Sequence, residues 1–395
     1  VLDAIRTRGP VSRVELAVLT GLTNQTVSNV VRKLLDVGLV TESGHAPSNG
    51  GKRRTLLSPR PDGAYALGVH LDPDAAVIVL VDLAGSVITG RRVRLTTPSD
   101  PTDVVDRVAR AALRLAERAA VDPARLLGLG IAAPGPIDGS TGAVVSPPNL
   151  PGWGRVPLID MFAKATGMPV ALDNDATAAA IGERWIGGEA RAGSFLFVYL
   201  GTGIGAGIVL NNTVLHGDSG NAGEFAHTPV EPGDLVCPCG GTDCLGPYVS
   251  PAAIIDDLVR RHGHAAADRV GLVLTPDALH RDWKSLRRAA RSGDADAGDV
   301  VRRAARRVGQ AARGAASLLD VSRIVLGGEA LHGIEPIMLA EIDTAVNRTS
   351  VARVIRPIAV EQSVIGDTVG AVGAASLVLH GNYAPGWRML TDSVG

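Results

Sequence analysis

Cysteine is nearly absent from these 395 residues: there are three, Cys237, Cys239 and Cys244, and they stand together. Such crowding in an otherwise cysteine-free chain favours metal binding over a disulfide framework, which a reducing compartment would not keep. Long hydrophobic runs are missing as well. Ala75–Val81 and Phe195–Leu200 are strand-length, far short of the roughly 20 residues a helix needs to cross a bilayer, so no span is predicted. The opening VLDAIRTRGPVSRVEL lacks the hydrophobic stretch and small-residue cleavage site of a secretory signal, and the expected location is the cytoplasm. Neither sign of charge dominates, the formal net charge being -1, and 46% hydrophobic with 20% charged residues fits neither disorder nor a membrane protein. The length exceeds one ordinary core and predicts two or three domains.

The near-zero net charge conceals an asymmetry. Residues 1–60 hold nine Lys or Arg against four Asp or Glu, a balance of +5, which leaves the remainder acidic by about six. A basic end suits a polyanionic partner. Ser12 followed by Glu15 is a capping-box spacing and predicts a short helix over RVELAVLTG, ended by Gly21. Thr23 caps a second helix, in which Val27, Val30, Val31 and Leu34 fall at i, i+3, i+4 and i+7 and form one inward stripe. Asn24, Gln25, Ser28, Asn29 and Arg32 then face outward, short polar side chains suited to base edges in a major groove. A strand LVTE, a Gly/Ser/Asn-rich loop, the triplet Lys52-Arg53-Arg54 and a second strand near Thr55–Leu57 read as a two-stranded wing whose cations meet phosphates or the minor groove. A small helical bundle for dimerisation is the competing reading; the basic hairpin favours a DNA reader.

From about Tyr65 strands and helices alternate, predicting mixed sheets covered by helices. A helix over Pro101–Ala120 carries Val104, Val105, Val108, Ala112 and Leu115 along its inner side, and further helices are expected around 251–262, 299–318 and 366–379. Between Phe195 and Pro251 lies the cysteine loop. His227 is followed by nine residues and Cys237, by one and Cys239, by four and Cys244. Three thiolates and an imidazole are the ligand set of a closed tetrahedral zinc site, structural and one per chain. Three reduced cysteines beside an unrelated histidine is the plainer alternative, and the lack of a CxxC pair disfavours a redox role.

These strings resemble the ROK family of repressors, open reading frames and kinases. Residues 2–60 are similar to its winged-helix pattern SRxELAxxTGLTxxTVSxxVxxLxxxGLV with a GGR-like wing, and GEFAHTPVEPGDLVCPCGGTDCLG is similar to its GEFGH followed by CxCGxxGCLE. The pattern opens at Val1-Leu2, so a residue or two of the native start is expected to precede it. The resemblance implies an α/β chain: an N-terminal winged helix-turn-helix over 1–60, then a two-lobed domain of the actin-like, ribonuclease H-like sugar-kinase fold. Lobe 1 is expected over 64–175, completed by a C-terminal helix over 366–390, and lobe 2 over 176–365 with the zinc loop at 227–244.

The resemblance also implies a sugar pocket of Gly135, Asn149, Asn174, Asp175, Glu224 and His227, in which the counterpart of Asp175 serves the family's kinases as general base. Two departures bear on function. The glutamate after Cys-Leu is Gly246 here, which removes a hydroxyl acceptor and alters the sugar accepted. The D-x-GGT phosphate loop of the kinases is replaced by His70-Leu71-Asp72-Pro73-Asp74, which lacks both glycines and one amide proton and adds negative charge where a triphosphate would sit. Gly201-Thr202-Gly203 and Gly327-Gly328 resemble the other two phosphate-side loops, but such turns persist for backbone reasons alone. The expected protein is a repressor of carbohydrate-utilisation genes, without catalytic residues, whose affinity for double-stranded operator DNA changes when a sugar effector enters the cleft. It is expected as a homodimer or homotetramer with no membrane partner. The alternative is a bifunctional ATP-dependent sugar kinase with a DNA-binding extension.

Overall fold

The structure, a computed structural model, describes residues 1–47, 53–95, 99–230, 233, 235–348 and 355–384. At the front, α1 (Leu2–Arg8), α2 (Arg13–Thr20) and α3 (Asn24–Asp36) pack with β1 (Val11–Ser12), β2 (Val40–His45) and β3 (Thr55–Pro59) as a winged helix-turn-helix. The capping box at Ser12 forms: its hydroxyl accepts from the Glu15 amide, and its own amide donates to the Glu15 carboxylate at 2.8 Å. Two donors orphaned by the helix start are thereby satisfied. Gly21 ends α2 at φ 67, and Thr23 caps α3 by accepting from the Thr26 amide. Only Val27 and Val31 of the inward stripe are buried; Val30 and Leu34 are half-buried, because so small a head has too little interior to cover four residues of one helix. The wing strand β2 runs to His45, beyond the LVTE segment, and the sheet order is β1-β3-β2. The wing residue Lys52 lies outside the described residues.

Next come β4 (Tyr65–Leu71), β5 (Ala75–Asp82), β6 (Val87–Arg94), α4 (Pro101–Ala119) and β7 (Leu126–Ala133). They are followed by β8 (Ile137–Asp138), β9 (Ala143–Val145), β10 (Arg155–Val156), α5 (Leu158–Thr166), β11 (Val170–Asn174) and α6 (Asp175–Ile186). The main sheet has the order β11-β7-β4-β5-β6, antiparallel through β4, β5 and β6 and parallel through β4, β7 and β11. All five inner residues expected of α4 are buried.

The second sheet, β14-β13-β12-β15-β16, is built from β12 (Phe195–Leu200), β13 (Ile204–Leu210), β14 (Thr213–Val214), β15 (Arg323–Gly327) and β16 (Ala359–Gln362). With it pack α7 (Gly246–Val249), α8 (Pro251–Val270), α9 (Leu279–Arg291), α10 (Ala295–Leu319) and α11 (Glu335–Asn347). The last helix, α12 (Val369–Tyr383), returns to the first sheet, where a Cβ on Gly130 would stand 1.7 Å from the Ala374 carbonyl oxygen, an approach only glycine permits.

Two compact units result, Val1–Ala192 with Gly370–Gly395, and Gly193–Val369. The division falls after Ala192 where the sequence pattern placed it after Asp175. Helix α6 stays with the first unit because its buried face meets α12: a Cβ on Gly373 would lie 2.3 Å from the Ala178 carbonyl oxygen. Among the described residues no helix is long and apolar enough to cross a membrane.

Candidate functional site

The cysteine loop doubles back on itself. The Cys237 amide donates to the Gly241 carbonyl and the Gly240 amide to the Cys237 carbonyl, both at 2.8 Å, with Gly240 at φ +93. His227 ends a single 3-10 turn, Phe225–His227. His227 Nδ1 is then 3.4 Å from Cys237 Sγ, Cys239 Sγ is 3.5 Å from Cys244 Sγ, and one donor atom from each of the four lies within 4.8 Å of every other. Two thiolates sharing a tetrahedral ion at about 2.3 Å sit roughly 3.8 Å apart, so the spacing suits a metal. The charges suit one too. The Gly241 amide, aided by the neighbouring sulfurs and His227, draws the Cys239 thiol down to about 6, whereas burial and the adjacent sulfurs push Cys244 up to about 12. Three thiolates this close oppose one another's ionisation, and a bound divalent cation relieves that opposition.

The other nitrogen of His227 faces away from the sulfurs, with Nε2 3.9 Å from Glu224 Oε2. These two expected pocket residues belong to the second unit. The other four belong to the first. Strand β11 runs parallel to β7 with Asn174 opposite Ala133, so Gly135, Asn174 and Asp175 collect at the carboxyl-terminal edge of those strands, where α/β sheets hold ligands. Asn174 Oδ1 accepts the Ala176 amide at 2.9 Å and caps α6, while Asp175 Oδ1 accepts the same amide at 2.7 Å. Both are half-buried; Asn149 is exposed, in a turn closed by the Leu150 amide on the Pro147 carbonyl.

On α3, Asn24, Gln25, Asn29 and Arg32 are exposed and Ser28 is half-buried. Gln25 Nε2 donates to Asn29 Oδ1 at 3.3 Å, aligning two amide side chains one turn apart. Arg53 and Arg54 are exposed at the base of the wing tip, where the Ala46 amide donates to the Arg54 carbonyl.

Helix α1 is anchored by residues that sequence patterning did not single out. The Arg6 guanidinium lies 4.0 Å over the Trp185 ring and donates to the Trp185 carbonyl and, at 2.5 Å, to Asp3. Asp3 is also 3.8 Å from Arg184, Arg8 is 3.1 Å from Glu189, and the Trp185 indole donates to the Leu83 carbonyl at 3.1 Å. Burial pulls both Arg6 and Arg184 below the usual arginine range, against the pull of Asp3. The contact partners are about 180 positions apart in the chain, so no local spacing announces them.

Residues 66–380 match the ROK family. The chain belongs to that family. It is 27% identical over 379 residues to a xylose repressor of Caldicellulosiruptor bescii, covering 96% of this chain and 94% of the repressor. It is 32% identical over 321 residues to a Streptomyces coelicolor glucokinase, covering 79% of this chain and 96% of the kinase. Among solved structures, a ROK family transcriptional regulator homologous to the E. coli MLC protein shares the fold over 96% of this chain and 94% of its own, with TM-score 0.74 and 23% identity. A Streptomyces griseus ROK glucokinase in complex with glucose and AMPPNP matches 80% of this chain and 99% of its own, with TM-score 0.68 and 30% identity.

Within the ROK frame, two loops stand out. At His70–Asp74 the Asp72 amide is spent on the Ala75 carbonyl at 2.9 Å, Pro73 has no amide proton, and buried His70 lies 3.5 Å from Asp72. At Gly328, φ is +111 and a Cβ would stand 2.1 Å from the Leu200 carbonyl oxygen, so packing alone accounts for that glycine. Gly246 opens α7, and a Cβ there would lie 3.2 Å from the Ala226 Cβ and 3.3 Å from its oxygen. The family string has glycine at the Ala226 position and glutamate at the Gly246 position. In this chain the larger and smaller residues have changed places.

Proposed function

We propose that this ROK protein is a sugar-responsive transcriptional repressor of carbohydrate-utilisation genes that acts in the cytoplasm on operator DNA as a homodimer or homotetramer. The observation that carries this reading is helix α6. Its amino end is Asn174–Asp175, at the expected sugar-contacting edge, and its carboxyl end is Arg184–Trp185, on which α1 of the DNA-binding head is seated. Its twelve residues span roughly 18 Å as one rigid element, and Ala176–Trp185 are buried throughout. A sugar that pulls on Asn174 and Asp175 therefore displaces the seat of the head, provided its affinity differs between the two positions of the helix.

The metal is zinc, held by His227, Cys237, Cys239 and Cys244. Four protein ligands leave no open position, so the ion is structural and supplies order to the loop. Its binding orients His227, leaving Nε2 beside Glu224 to meet a sugar hydroxyl. Kinase activity is absent in this reading. The turn at His70–Asp74, with the Asp72 amide spent on the Ala75 carbonyl and Pro73 without an amide proton, offers few amides to a triphosphate. Asp175 then serves as a hydroxyl acceptor.

Calorimetry with a panel of neutral mono- and disaccharides, with and without magnesium-ATP, tests this reading directly. A sugar that binds without phosphoryl-transfer heat and changes operator affinity is the expected result; sugar-dependent ATP turnover overturns it in favour of the bifunctional kinase. Arg6→Ala should leave the sugar Kd unchanged while collapsing the sugar-induced change in operator affinity, which for such couplings is about 5- to 150-fold. A fully retained response in that variant would remove α6 from the route.

A further inference from the structure

Among the described residues strand β6 is one edge of the first sheet, and α4 lies beside it. Between them runs a groove in two joined sections of about 480 and 300 Å³, sharing Arg91, Ala111 and Arg114. Among the described residues five arginines line it, Arg91 from the strand and Arg107, Arg110, Arg114 and Arg118 from the helix, and no carboxylate does. Along α4 these four span about 16 Å. Buried Ala111 and Leu115 form an apolar floor.

Two of the arginines are already engaged: Arg107 is 3.5 Å from Asp103 and donates to the Arg94 carbonyl, and Arg110 donates to the Asp106 carbonyl. The guanidinium groups of Arg91, Arg114 and Arg118 make no hydrogen bond or ion pair among the described residues. Three unneutralised cations around one depression, in a protein of net charge -1, concentrate a positive field. Charged side chains on an edge strand also discourage sheet-to-sheet aggregation. That role accounts for Arg91 but neither for the helix arginines facing it nor for the concavity.

We propose that this groove is a binding site for a small organic phosphate, distinct from the residues assigned to the sugar. Guanidinium groups on both walls can grip a dianion in bidentate fashion, the apolar floor accepts a short carbon skeleton, and the larger section has the volume of a small-ligand pocket. A phosphorylated metabolite bound there reports on a second chemical signal, independent of any neutral sugar.

The test uses the full chain with zinc bound and two probes, pyrophosphate and glycerol 3-phosphate, titrated by calorimetry at low salt. The comparison is the triple variant Arg91→Gln, Arg114→Gln, Arg118→Gln, whose fold is checked by circular dichroism and thermal melting. Saturable binding of at least one probe to the native protein, weakened about tenfold or more in the triple variant, is expected. Binding that is equal in the two proteins, or absent for both probes at millimolar concentration, overturns the site. Should the triple variant lose salt dependence in operator binding while neither probe binds the native protein, the groove is a DNA contact and the proposal falls.

Discussion

At the scale of single residues the most informative pair is Ala226 and Gly246. The absence of the family glutamate is visible in the sequence, but its partner is not: Ala226 lies twenty positions earlier, and only the return of the metal loop brings the two within 3.2 Å of a would-be Cβ. Gly246→Glu alone should therefore strain the start of α7 and lower the melting temperature, because a side chain is forced against the Ala226 methyl and carbonyl. Adding Ala226→Gly should restore the melting temperature and supply a hydroxyl acceptor, changing by about tenfold the affinity for whichever sugar calorimetry shows the native chain to bind. Thermal melting and calorimetry on the single and double variants decide this; a single variant as stable as the native chain would show that the exchange of sizes has no steric meaning. The gathering of His227, Cys237, Cys239 and Cys244, by contrast, is legible from their residue types and spacing, since a site able to hold a metal demands particular atoms within a few ångströms and so restricts the residues that can form it.

At the scale of elements, legibility followed the sidedness of each segment. Helix α4 buries all five predicted inner residues, and the capping box of α2 closes as its spacing implies. Helix α9 carries no such signal in its sequence. Its sequence LHRDWKSLRRAAR looks like a solvated charged face, yet Asp282 and Arg287 are buried. The Asp282 carboxylate accepts the Val273 and Leu274 amides, and Arg287 donates to the Glu329 and His332 carbonyls. Polar groups go inside when folding supplies their partners; those of Asp282 are loop amides eight and nine positions earlier and those of Arg287 carbonyls more than forty positions later, and neither leaves a periodic trace. The two parts of the DNA-binding head make separable predictions. Replacing Gln25 and Asn29 by Ala should weaken operator binding by about 1–3 kcal/mol for each base edge no longer read and leave random-sequence binding nearly intact. Replacing Arg53 and Arg54 by Ala should weaken both alike and reduce the salt slope by about one for each phosphate no longer neutralised. Titrations of operator and random duplexes at several salt concentrations separate these outcomes, and equal losses from the α3 changes would remove base reading from that helix.

At the scale of the whole molecule the two compact units give metal removal a localised effect. A structural zinc contributes on the order of 10 kcal/mol to the segment it orders, and the four residues proposed to hold one lie within the second unit. Chelation should therefore accelerate amide exchange between Glu224 and Ser250, with α2 and α3 as protected as before, and sugar binding should fall while random-duplex affinity holds. Uniform deprotection across both units, or none in the cysteine loop, would contradict the assignment. The family fold was legible from motifs spread along the chain, whereas the unit boundary was not, because α6 is claimed by a helix almost two hundred positions later. The seating of α1 has a consequence for how such regulators are assembled. The head meets the body through a guanidinium stacked on an indole, a few flanking ion pairs and the short link at Arg60–Asp62, whose Asp62 carbonyl takes a hydrogen bond from Arg125. On the proposed function, that joint is the part a domain exchange has to respect: a chimera that carries over Arg6, Trp185 and their neighbours should keep its sugar response, and one that omits them should bind DNA and sugar without coupling the two.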